Sequence, residues 1–181
     1  MKREMTELNL HSAFAGESQA HMRYTIFAER AGRSGFENVA RLFTAIAFAE
    51  KVHASNHYSA TSSKGDFLTF STAGFGSKTV SEDLEIAING ETFEVNEMYP
   101  AYIAVAKMQN HEDALKSFTW ALEAEKTHAE LFRKAKQAVD SGKDVKLGTI
   151  QVCCVCGYTV EGEAPDKCPI CGSSKKAFRS F

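Results

Sequence analysis

From Leu8 to Gln137, apolar residues recur with helical spacing, interrupted once by a long polar stretch. Leu10, Phe14, Glu17, His21, Tyr24 and Ala28 form one seam, and Val39, Phe43, Ile46, Glu50, His53 and His57 a second. Leu84, Ala87, Glu91, Glu94, Met98, Ala101 and Val105 form a third, and Leu115, Phe118, Leu122, Glu125, Ala129 and Phe132 a fourth. Alternating steps of three and four residues put each seam on one helix face, so the pattern predicts four long amphipathic helices. Gly32-Arg33-Ser34-Gly35 and Gln109-Asn110 are breaks short enough for antiparallel hairpins. No proline precedes Pro100, which lies inside the third helix and predicts a kink there. Residues 61–79, rich in Ser, Thr and Gly, have no sustained period. A stretch of this length fits the crossover of a four-helix bundle, with Phe67, Phe70 and Phe75 expected to pin it down. The predicted class is therefore mainly α.

The seams carry residues that a core excludes. Glu17, Glu50, Glu91, Glu94 and Glu125 lie on apolar faces, together with His53 and His128. An unpaired buried carboxylate is costly, so either these faces are solvated or a cation compensates them. Register favours the cation. Glu17 and Glu50 are equidistant from the first turn, and Glu91 and Glu125 nearly so from the second, so each hairpin brings two glutamates level. The halves also repeat: Ala49-Glu50-Lys51-Val52-His53-Ala54 resembles Ala124-Glu125-Lys126-Thr127-His128-Ala129, and Gly16-Glu17-Ser18 resembles Gly90-Glu91-Thr92. A duplicated helix pair would face its copy across a pseudo-twofold axis. One Glu from each of two helices and Glu-x-x-His from each of the others is a di-metal arrangement of helical bundles. Such donors suit iron or manganese better than zinc. Glu94 has no counterpart, since Ala20 occupies the equivalent place. It reads as a seventh ligand or as a carboxylate just outside the ligand set. His21 and His57 read as neighbours of the site rather than ligands. Tyr24 and Tyr99 read either as hydrogen-bond donors to the carboxylates or as core aromatics.

Composition adds little until the cysteines. Apolar residues make up 44% of the 181 and charged residues 24%, which excludes a disordered chain. A net charge of −2 gives no sign of nucleic-acid or anionic-lipid binding. No run is long and apolar enough for a membrane span, and the N-terminus lacks a signal-peptide core, so the expected location is cytoplasmic. All five cysteines lie between 153 and 171. Cys153-x-x-Cys156-Gly and Cys168-x-x-Cys171-Gly predict a four-thiolate tetrahedral site, with zinc and mononuclear iron both open. Cys154 reads as a bystander. Two units are expected: a bundle over 1–145 and a cysteine unit over 146–181.

In combination these motifs resemble the rubrerythrin family. The resemblance rests on Glu17 with Tyr24, Glu50-x-x-His53-Ala-x-Asn56-His57, and Gly90-Glu91-x-x-Glu94-x-x-Glu97-Met98-Tyr99-Pro100. Glu125-x-x-His128 and the terminal cysteine pairs complete it. It implies a ferritin-like bundle holding non-haem diiron and a C-terminal rubredoxin-like iron domain. It implies ligands Glu17, Glu50, Glu91, Glu94, Glu125 and His128, with His53 trading places with Glu94 between oxidation states. It also implies a cytoplasmic peroxidase that reduces hydrogen peroxide to water, with electrons relayed through Cys153, Cys156, Cys168 and Cys171. Glu94, His53, Tyr24 and Tyr99 are then the catalytic candidates. The electron donor would be a rubredoxin or an NAD(P)H-dependent reductase. Two rival readings are a ferroxidase, iron-storage or oxygen-reducing bundle, and a non-enzymatic module with zinc in the tail. The tail follows the ligand level near residue 125 by about 16 residues of helix, roughly 24 Å at 1.5 Å per residue. That offset suggests that the cysteine site cannot reach its own bundle. It points to a head-to-tail homodimer or larger even oligomer, with exchange of helix pairs left open.

Overall fold

A computed structural model describes residues 4–181; residues 1–3, the start of the predicted bundle unit, lie outside the described residues. The bundle comprises α1 (Glu4–Arg33), α2 (Glu37–Ala60), α3 (Val80–Phe93), a π-helical turn (Glu94–Met98), α4 (Tyr99–Met108) and α5 (Glu112–Asp140). α3, the π turn and α4 together make the expected third rod. The break in it is a π turn rather than a simple proline kink. Tyr99 N–H bonds back to Glu94 O, five residues earlier, and Pro100 falls in the first turn of α4, where its missing N–H costs least.

The first hairpin turns at Gly35, whose positive φ lets Phe36 N–H reach Ala31 O. The second turns at Asn110, also at positive φ, and His111 caps α5 by accepting from Ala114 N–H. The crossover, 61–79, lies along α1. Ser12 Oγ donates to Phe70 O and Gln19 Nε2 to Thr72 O. These polar ties hold it, while Phe67, Phe70 and Phe75 remain exposed. The expected aromatic pinning is thus mostly absent, although Phe67 packs at a tilt against His11.

Two apolar clusters bracket the predicted ligand level. Leu10, Ala13, Tyr99, Phe118 and Ala121 pack toward one end. Tyr24, Phe27, Phe43, Phe132 and Ala135 pack toward the other. Along α1 and α5 alike, the glutamates fall between the two clusters, so water is excluded from both sides.

The C-terminal unit is an antiparallel sheet of order β2–β1–β3, with β1 Ile150–Cys153, β2 Thr159–Glu161 and β3 Phe178–Ser180. Its position corrects the tether argument. Gly142 at positive φ ends α5, and the chain reverses. Asp144 then caps α2 by accepting from Asn38 and Val39 N–H, and Arg41 donates to Leu147 O. Ile150 and Val152 bury into the bundle core. Counting from the helix end overlooked this return path: about ten extended residues at ~3.3 Å each span more than the 24 Å offset. The cysteine unit packs against its own bundle. No described helix is long and apolar enough to cross a membrane.

Candidate metal centres

The four helices converge on two interlocking groups of donors. Glu17, Glu50, His53 and Glu125 form one, and Glu50, Glu91, Glu125 and His128 the other, with donor atoms within 4.8 Å in each. Glu50 and Glu125 belong to both, as carboxylates bridging two ions would. All six side chains are at most 1% exposed. The predicted pseudo-twofold is visible in the distances. His53 Nδ1 lies 2.9 Å from Glu50 and 2.7 Å from Glu125, and His128 Nδ1 lies 2.6 Å from Glu125 and 3.4 Å from Glu50.

The residues fit a cation pair on an independent observation. Glu17 Oε2, Glu50 Oε1, Glu91 Oε2 and Glu125 Oε1 are buried and make no well-directed hydrogen bond; the two histidine rings, shared among them, are what approaches Glu50, Glu91 and Glu125, with His53 Nδ1 2.7 Å from Glu125 Oε1. Two imidazoles cannot balance four buried carboxylates around one point, so compensating positive charge is called for. Burial and neighbouring carboxylates push Glu17 and Glu125 well above the usual range. Burial also opposes charge on Glu50, yet His128 and His53 hold it down to about 2. Burial disfavours charged His53 and His128, but the facing carboxylates win and raise both.

The tyrosines donate to the non-bridging glutamates. Tyr24 OH bonds Glu91 Oε1 at 2.5 Å, and Tyr99 OH bonds Glu17 Oε1. Burial and the adjacent carboxylates raise both phenols well above their ordinary value, so they stay protonated. His57 lies behind Tyr99, with Nε2 2.9 Å from its OH and Nδ1 2.8 Å from Ser117 Oγ. Burial lowers its pKa to about 3, leaving it neutral. His21 sits elsewhere, with Nδ1 2.6 Å from Ala47 O.

Glu94 joins neither donor group in this arrangement. It stands where α3 gives way to the π turn and is half-buried beside a cavity. His53 stands among the clustered donors instead.

The cysteine site is built from two knuckles. Cys153, Cys156, Cys168 and Cys171 place their sulfurs within 4.8 Å of one another. The Cys153–Cys171 and Cys156–Cys168 separations are 3.7 and 3.5 Å. A tetrahedron with metal–sulfur bonds of about 2.3 Å has edges of about 3.8 Å, so the cage is close to the required size. Gly157 and Gly172, both at positive φ, close the knuckles with N–H bonds to Cys153 O and Cys168 O. Cys154 is exposed and outside the cage.

The contact between the two sites escaped sequence reasoning. His53 Nε2 lies 3.1 Å from the carbonyl of Cys156, itself a member of the cage. His128 Nε2 lies 2.9 Å from Thr159 Oγ1, which donates to Gly157 O. Asn56 Nδ2 donates to Val155 O. A Cβ on Gly157 would stand 2.1 Å from His53 Nε2, so only glycine permits the approach. The glycine after Cys156 was legible only as a knuckle residue, and nothing in the sequence paired it with a helix over 100 positions away.

Comparison with known proteins finds two family profiles in the chain. The rubrerythrin family profile matches residues 9–136, and the profile described as the rubrerythrin, rubredoxin-like domain matches 151–179. Rubrerythrin-2 of Clostridium acetobutylicum is 44% identical, covering 100% of this chain and 99% of its own. Nigerythrin of Nitratidesulfovibrio vulgaris is 38% identical, over 96% of this chain and 85% of its own. A solved structure of fully reduced, all-ferrous nigerythrin superimposes with a TM-score of 0.84 at 36% identity, covering 97% of this chain and 86% of that one. With a carboxylate–histidine diiron site in a ferritin-like bundle and a rubredoxin-like four-cysteine site beside it, the chain belongs to the rubrerythrin family.

Proposed function

We propose that the chain is a hydrogen peroxide reductase serving oxidative-stress defence. Peroxide, two protons and two electrons give two waters. Bound iron would supply the electron pair and the Lewis acidity that O–O cleavage needs. The observation that carries this reading is the hydrogen bond between His53 Nε2 and the Cys156 carbonyl. A storage bundle has no use for a four-thiolate site wired to a ligand histidine.

Each residue then has a task. Glu50 and Glu125, common to both donor groups, would be shared between two bound ions, with Glu17 and His53 helping to hold one and Glu91 and His128 the other. With Nδ1 turned inward, the outer nitrogen of each histidine carries hydrogen and donates: His53 to Cys156 O, His128 to Thr159 Oγ1. These bonds fix the tautomers and tie both rings to the cysteine unit. Tyr24 and Tyr99 hold Glu91 and Glu17 in place, and the Ser117–His57–Tyr99–Glu17 chain keeps a proton within reach of the site. Glu94, free of the ring, is available to replace His53 when the site gains positive charge. Iron at the four cysteines, rather than zinc, would pass electrons one at a time from a rubredoxin or an NAD(P)H-dependent reductase. A homodimer is compatible with this scheme but is not required by it.

The test is anaerobic stopped-flow mixing of the reduced, iron-loaded protein with peroxide and, separately, with dioxygen. One equivalent of peroxide should reoxidise the bundle site, faster than dioxygen does. Faster reaction with dioxygen would favour the oxidase or ferroxidase reading.

A further inference from the structure

A cavity of about 320 Å³ opens beside Glu94. The crossover residues Ser71 to Gly74 wall one side, and Gln19, Arg23, Asn89 and Gly90 line others. Its relation to the buried ligands follows from neighbours in the chain. Gly90 borders the cavity and precedes Glu91, and Arg23 borders it and precedes Tyr24, which bonds Glu91. Gly90 has no side chain, and the place where its Cβ would stand lies 3.9 Å from both Arg23 Nη2 and Tyr24 OH. The partition between cavity and ligand ring is therefore one glycine thick.

The cavity is also chemically polar at that partition. Arg23 Nε is buried with no hydrogen-bond partner, although Arg23 also bonds Gln19. Glu94 stands on the same cavity and outside both donor groups; burial and the nearby carboxylates of Glu91 and Glu50 raise its pKa, with Arg23 opposing them. A guanidinium and a carboxyl lining one small cavity suit a small ligand that both donates and accepts hydrogen bonds. A hydroperoxide has that chemistry, whereas dioxygen donates nothing.

We propose that this cavity is the entry subsite for peroxide, with Arg23 as the residue that favours it over apolar oxidants; the substrate assignment rests on the function proposed above. A second cavity, of about 500 Å³, reaches His57 from beneath the first half of the crossover and is lined by Phe14, Ser63 and Phe67. It serves as an internal control, because its wall lacks Glu94 and Gly90.

The experiment uses the iron-loaded, reduced full chain. Nitric oxide association at the bundle site, followed optically, reports access without turnover, and peroxide reoxidation reports the reaction. Ala73→Trp and Thr72→Trp narrow the entry from the crossover side, away from the helix cores. Each should slow nitric oxide association and peroxide reoxidation together, by about tenfold or more, as narrowing the approach to a buried site requires. Ser63→Trp, in the control cavity, should leave both rates alone. Arg23→Leu should leave nitric oxide association intact and lower kcat/KM for peroxide by about tenfold, the equivalent of one charge-assisted hydrogen bond. Unchanged rates in both tryptophan variants, or slowing by Ser63→Trp instead, would overturn the route. An unchanged peroxide constant in Arg23→Leu would overturn the selectivity. If nitric oxide slows as expected while peroxide never reacts with any form, the entry stands and the peroxidase reading falls.

Discussion

In the bundle, four buried carboxylates share two histidine rings, and each keeps one oxygen without a well-directed hydrogen bond. At the cysteine knuckles, the protein's own amides serve the sulfurs: Val155 and Cys156 N–H bond Cys153, Tyr158 N–H bonds Cys156, and Ile170 and Cys171 N–H bond Cys168. The first site leaves its negative charge for a cation to satisfy. The second is pre-solvated by backbone, and neighbouring thiol and amide donors bring Cys153 down to about 5 against its burial. Each site therefore draws its rigidity from a different source. The bundle is held open by two apolar clusters and depends on metal for electrostatic balance, while the knuckle geometry stands on positive-φ glycines and hydrogen bonds.

The largest expected effect separates the two sites by their ligands. Glu50→Ala removes a donor common to both groups, so iron per chain should fall from about three to about one by the ligand count. Metal analysis with the visible spectrum of oxidised protein checks it; loss of a single iron would mean that Glu50 does not bridge. Cys168→Ser is the converse. It should abolish the thiolate-to-iron absorption and leave about two irons in the bundle. If the bundle metals vanish with it, the sites are not independent.

The next prediction concerns the join. Gly157→Ala places a methyl group against His53 and forces a non-glycine residue to φ +81, a backbone cost of about 1–2 kcal/mol. Both sites should keep their metals, but reduction of the bundle site through the tail should slow. Chemical reduction by dithionite should be spared. Equal slowing of both would locate the damage in the bundle itself.

The smallest effect tests the contrast with a carboxylate that needs no metal. Glu7 accepts from the hydroxyls of Thr61, Ser62 and Ser63 and from backbone N–H of Ser62 and Ser63, and it also meets His111 Nε2 at 3.1 Å. Burial works against its charge, but these donors hold its pKa far below the usual value. Its contribution to stability is therefore complete above the unfolded-state value of about 4.3, and shrinks as pH falls toward the lower folded value. Glu7→Gln should cost about 1 kcal/mol at pH 6 and less at pH 3, read from urea midpoints. A cost that grows on acidification would refute the assignment.

How much of this was legible follows from the kind of signal. Glu17, Glu50, Glu91 and Glu125 betrayed themselves because charge on an apolar seam is anomalous, and equal distance from a turn fixes height in a hairpin. Local periodicity carries both facts. Glu94 shares that seam by spacing, yet the structure leaves it outside the ring, at the start of a π turn whose position no 3.6-residue period reveals. The docking of the tail was hidden for another reason. Asp144 and Leu147 meet α2 about 105 residues earlier in the chain. Contacts of that range depend on tertiary packing, which a tether-length argument treats as absent.

The Asp144 cap has a consequence in time. Each helical hairpin closes through contacts local in sequence, which form early because little chain entropy is lost. The cap of α2 exists only after a helix nucleated far upstream is in place, so β1 docks onto a finished bundle. Pulse-labelled hydrogen exchange during refolding should protect amides of α1 and α2 before those of Ile150–Cys153. The chain would therefore assemble its reaction chamber first and attach its electrical lead last.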